Sequence, residues 1–110
     1  MDIVGVDRET GAPLSGIAHL KQSLADLLST PLGSRRERPD YGSRLRRMVD
    51  LPTTRGWIAD AQAEAARAIR RWEPRIQLRR VVIESVLDGR IGMRVVGEYV
   101  GATFVLELTV

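Results

Sequence analysis

Few residues of this 110-residue chain have the type and spacing to do chemistry, and most of those are charged rather than nucleophilic. With no cysteine there are no disulfides and no thiolate. The single histidine, His19, would need three carboxylates or a second chain to complete a zinc site, so neither a metal nor a cofactor is expected. Glycoside hydrolysis needs two carboxyl groups about 5–10 Å apart across a sugar-sized cleft, one of them with a raised pKa. Glu37 and Asp40 are near neighbours, but the arginines around them would lower both pKa values and remove the acid. Glu73 beside Arg75 has the same difficulty. A peptidoglycan-cleaving lysozyme is therefore the weakest reading, and the chain is expected to be no enzyme, with no small-molecule substrate.

A basic run, Arg35, Arg36, Arg38, Arg44, Arg46 and Arg47, raises a second possibility, a nucleic-acid-binding domain. Phosphate contacts from such a patch would give salt-sensitive, sequence-indifferent affinity. Glu37, Asp40 and Asp50 dilute it, and Tyr41 is its only aromatic ring for base stacking. No helix-turn-helix or zinc pattern accompanies it. Contact with a partner protein, or a solvated face, explains the run better. Of the 17 basic residues all but Lys21 are arginine, whose planar fork suits fixed ion pairs and interfaces.

The third arrangement is Glu73-Pro74-Arg75 directly after Trp72. Proline fixes the backbone and with it the direction of both charges. A rigid pair of opposite charges beside an indole makes a docking element, because little side-chain freedom remains to be lost on binding. A second docking candidate is the stretch 103–110, where Val105 and Glu107 sit in a segment with one charge and no proline. Such a strand leaves an unguarded edge able to accept another strand.

The elements that must position these residues follow from periodicity. Residues 1–16 carry Gly5, Gly11, Pro13 and Gly16 and read as an irregular arm with a short extended piece at 3–6. A first helix after Ser15 presents Ile17, Leu20, Leu24, Leu27 and Leu28 on one face and ends at Thr30-Pro31. After the loop 31–42, with a turn at Asp40-Tyr41-Gly42, Ser43 caps a short helix bearing Leu45, Met48 and Val49. Thr53 or Thr54 caps a third, longest helix whose stripe is Ile58, Ala61, Ala65, Ala68, Ile69 and Trp72. Beyond Pro74 the period changes to two. A first strand from about 78 to 87 meets a tight turn at Asp88-Gly89, a second strand follows, and a turn at Gly101-Ala102 leads into the third. The fold class is α+β: three helices packed on a three-stranded antiparallel meander, with residues 17–110 forming one domain.

Three segments taken together carry a family resemblance: VDRETGAPLSGIAHLKQSLADLLST (6–30), PLGSRRERPDYGSRL (31–45) and WEPRI (72–76). In that order and spacing the chain resembles the phage baseplate assembly protein W family. The family's relatives include the T-even phage baseplate wedge protein formerly called a lysozyme and component E of the type VI secretion baseplate. The resemblance implies a virion structural subunit of a contractile-tail baseplate wedge. Such a subunit docks to the wedge's core bundle and starts polymerisation of the tail sheath. It implies Glu73, Pro74 and Arg75 as the contact with wedge proteins, the sheath protein as a second partner, and tail tube or hub proteins as further neighbours. The implied location is the tail baseplate of a virion, or of a headless phage-derived particle, assembled in the host cytoplasm. The acidic start of the chain does not look like a signal peptide and no apolar run would span a bilayer, so no membrane partner is expected.

Overall fold

The computed structural model describes residues 14–51 and 54–110, so the extended piece expected at 3–6 lies outside the described residues. Helix α1 spans Leu14–Ser29, α2 Leu45–Met48 and α3 Arg55–Trp72; strands β1 Ile76–Leu87, β2 Arg90–Tyr99 and β3 Ala102–Thr109 follow. The sheet order is β1-β2-β3, fully antiparallel, so the α+β meander is as the periodicity implied. Helix α3 lies over β1, α1 lies over β3 and against α3, and short α2 touches both long helices. The core lies between helices and sheet: Leu20, Leu24 and Leu28 of α1 meet Val95, Phe104 and Leu106 with no exposure above 1%.

Local physics explains where the elements begin and end. Helix α1 already includes Ser15, so that serine is not the cap; a cap preference of about 1 kcal/mol is easily overridden at a helix end. Thr54 does cap α3, its side chain accepting the Trp57 N–H at 3.1 Å. Ser43 lies one residue before the cap position of α2, yet its Oγ accepts the Leu45 N–H at 3.3 Å and donates to the Leu28 carbonyl at 2.7 Å. It ties α2 to the end of α1.

The buried stripe of α3 differs from the expected one. Trp57, Ala61, Glu64, Ala65, Ala68 and Ile69 are buried, whereas Ile58 is 40% exposed. The stripe is registered on Trp57, whose indole N–H donates to the Met48 carbonyl at 2.7 Å. A turn of about 100° per residue then carries Ile58 toward solvent. Strand β1 begins two residues earlier than expected and has irregular register at Leu78/Arg80 and Ile83/Ser85, which explains its imperfect alternation. Val81 is buried, and Ile83 packs partly against the core.

Both hairpin turns have two central residues at positive φ. At the first these are Asp88 (53°) and Gly89 (73°), as expected. The second is Val100-Gly101 (54° and 78°) rather than Gly101-Ala102, because Tyr99 pairs with Ala102 and fixes the loop at two residues. A β-branched residue thus occupies a left-handed position.

Candidate functional site

The junction between α3 and β1 is a tight corner built from consecutive residues. Helix α3 stops because Pro74 has no N–H and pushes the residue before it out of the helical region. Glu73, the C-cap, has φ −129° and ψ 69° while its N–H still bonds to the Ile69 carbonyl at 2.8 Å. The Ile76 N–H donates to the Glu73 carbonyl at 3.4 Å, closing a four-residue turn with Pro74 in the second position, where its fixed φ fits. Across this turn the Arg75 Nε donates to Glu73 Oε1 at 2.6 Å. Glu73 is only 7% exposed, while the Arg75 side chain keeps 43% of its surface. The carboxylate is the fixed half and the guanidinium the presented half. Its hydrogen bond to Glu73 raises the Arg75 pKa further, so the group is a permanent cation.

Trp72 stands beside this corner and belongs to two layers at once. It is half-buried against the core, and its indole N–H donates to the Asp40 carbonyl at 3.2 Å. Its ring meets that of Tyr41 edge-on at 5.3 Å, with the guanidinium groups of Arg71 and Arg38 at 5.0 and 5.5 Å from its centroid. The Tyr41 hydroxyl donates to Asp26 at 2.7 Å, and Arg35 reaches both the Tyr41 ring at 4.4 Å and the Asp26 carboxylate at 3.0 Å. Burial, then the bond to Asp26, pushes the Tyr41 hydroxyl up to about 12. The arginine-rich loop is therefore seated on α1 and α3, and both aromatic faces are already occupied by arginine.

Asp40 pairs with Arg71, and that bond holds its carboxyl below the usual carboxylate range, the wrong direction for a general acid. The expected turn at 40–42 depends on Gly42, at φ 116°. A Cβ there would lie 2.2 Å from the Thr30 carbonyl oxygen, which accepts the Ser43 N–H at 2.9 Å.

One charged cluster was not foreseen. Glu64 is 2% exposed and accepts from the Arg44 N–H (2.8 Å), the Arg44 guanidinium (3.2 Å), and Arg67 Nη2 and Nε (2.8 and 3.1 Å). Burial alone would raise its pKa, but the bonds from Arg67 and Arg44 prevail and hold it at about 2. Arg67 also reaches the Gly42 carbonyl at 3.3 Å. The available signal was a carboxylate on the alanine stripe of α3, with an arginine three residues on.

Val105 and Glu107 do not join the α3–β1 corner. They lie on β3, on the sheet face away from the helices, and Val105 is 40% exposed. Ala102 and Tyr99 bring the start of β3 level with Ile76, and Val105 lies about 10 Å further along. Ile91 and Val110 exchange both backbone hydrogen bonds. Counting in twos along the ladder, Leu108, Leu106 and Phe104 face β2, and the N–H groups of Val105 and Glu107 point to the outer edge. Among the described residues no strand pairs with that edge. No described helix is long and apolar enough to cross a membrane.

A family model described as baseplate wedge protein gp25 matches residues 14–100. Baseplate protein W of Escherichia phage P2 is 35% identical over 107 residues, covering 97% of this chain and 93% of its own. A chain in the cryo-EM structure of the post-contraction pyocin R2 baseplate is 56% identical, with a TM-score of 0.65, covering 92% of this chain and 100% of that one. A chain of the type VI secretion system baseplate complex has a TM-score of 0.67 at 18% identity, over 91% of this chain and 96% of its own. A Geobacter sulfurreducens protein described as a tail lysozyme has a TM-score of 0.75 at 23% identity, over 86% and 89%. The last two share the fold alone.

Proposed function

The chain belongs to the baseplate wedge protein gp25 family, and we propose that within the baseplate it docks and nucleates rather than catalyses. It is a structural protein of a contractile-tail baseplate, located at the tail end of a virion or of a pyocin-like particle. The α3–β1 corner is the docking element toward neighbouring wedge proteins: Glu73 fixes Arg75, Pro74 fixes both, and Trp72 anchors the corner to the seated loop. Strand β3, through the outward backbone groups of Val105 and Glu107, accepts a strand from the first sheath subunit.

The observation that carries this reading is the locked Glu73–Arg75 pair, a preformed ionic contact that loses little freedom on binding. The Asp40 carboxyl, held low by Arg71, supports the absence of a lysozyme role. Producing particles in cells lacking this chain tests the reading. Tails without organised baseplates or sheaths, rescued by the wild-type chain, are expected; intact sheathed tails without it would overturn it.

A further inference from the structure

A groove of about 710 Å³ runs between α2 and α3, away from the α3–β1 corner. Its lining includes Met48 and Leu51 on one wall and Asp60 and Ala63 on the other, with Arg44, Arg47 and Arg67 around them. Leu51 is 53% exposed, an unusual state for a leucine facing a concave surface. The buried Glu64 carboxylate pins Arg44 and Arg67 by side-chain bonds of 2.8–3.2 Å, so two guanidinium groups line the groove in fixed positions. Arg47 is exposed and has no ion pair among the described residues.

We propose that this groove is a second docking site, occupied in the assembled baseplate by an amphipathic acidic segment of a neighbouring protein. An apolar side chain of that segment covers Leu51 and Met48, and a carboxylate faces Arg47. The chemistry selects a peptide over nucleic acid because a sugar-phosphate backbone gains nothing from the apolar wall of Met48 and Leu51. Arg44 and Arg67 are engaged by Glu64, which leaves Arg47, with its planar fork, as the lining cation to receive a carboxylate. Glu64 and Glu73 are separated by about 14 Å along the helix direction, so one partner could span both sites or two could share α3. The inference rests on the baseplate reading and adds a contact and a partner chemistry to it.

A photo-crosslinking benzophenone side chain in place of Leu51, in the full-length chain assembled into tail particles, tests it. Irradiation is expected to join the chain to one other baseplate protein, at a segment interleaving Asp or Glu with Leu, Ile or Phe. Combined with the crosslinker, Arg47→Glu should reduce the yield about tenfold and Arg47→Lys far less, both with unchanged melting temperatures, as for loss of a close interfacial charge pair. Particles that contain the chain but give no crosslink overturn the proposal. So does a crosslink to nucleic acid, to a second copy of this chain, or to a segment without acidic residues. Particles that lack even the wild-type chain overturn the baseplate reading itself, and this site with it.

Discussion

Glu73 and Arg75 meet across Pro74, with the arginine Nε 2.6 Å from the carboxylate oxygen, although residues two apart do not face each other on a helix. The turn closed by Ile76 and Glu73 brings them together. The pair is thus a product of the place where α3 must stop and β1 must start. It exists before any partner binds.

Glu64 makes acid stability a test of the charged cluster. Its folded pKa is about 2 against an ordinary 4.5, so its contribution is fully present above about pH 4.5 and is lost as pH falls toward 2. The amount is roughly 3 kcal/mol at most. Urea melts between pH 2 and 6 should show this loss in the wild type. In Glu64→Gln they should show it reduced, with lower stability already at pH 7, since Arg44 and Arg67 lose their buried partner. A variant as stable as the wild type at pH 7 would make the cluster a solvated decoration.

Val100 holds φ 54° in a two-residue turn where asparagine or glycine is at ease. Val100→Asn should stabilise the fold by about 1 kcal/mol, raising the melting temperature by roughly 5 °C. An unchanged or lower value would mean that the turn relaxes at no cost.

The sheet, its order and the first turn were legible because strand alternation and Asp-Gly chemistry are local signals; the second turn was misplaced by one residue because Val100 breaks the local rule. The α3–β1 corner was legible from Pro74 alone, but the bond between its two charges was not, since it needs the dihedral angles of Glu73. The stripe of α3 was misregistered at Ile58 because hydrophobicity cannot tell an isoleucine on the solvent side of a helix from one in a core. Glu64 was missed because its partners Arg44 and Arg67 converge only once the loop closes over Gly42.

The outward N–H of Val105 makes a proline substitution informative. Val105→Pro removes no hydrogen bond of the β2–β3 ladder, so the domain should stay folded by circular dichroism and still enter baseplates. It removes a donor from the outer edge of β3, which no strand pairs with among the described residues, so electron microscopy should show baseplates without polymerised sheath. Normally sheathed tails would exclude strand addition at this edge.

The docking corner is tested most directly by Arg75→Ala, measured as the amount of the chain retained in purified tail particles relative to wild type. Arg75 is half-exposed and its loss empties no core, but it leaves the nearly buried Glu73 carboxylate without its ionic partner. The purified variant should therefore stay folded and melt several degrees below wild type, while its particle content falls at least about tenfold, as expected for an interface anchor worth about 1.4 kcal/mol or more. A folded Arg75→Ala chain found in particles at wild-type abundance would contradict the account and reduce Glu73-Pro74-Arg75 to the punctuation of a helix end.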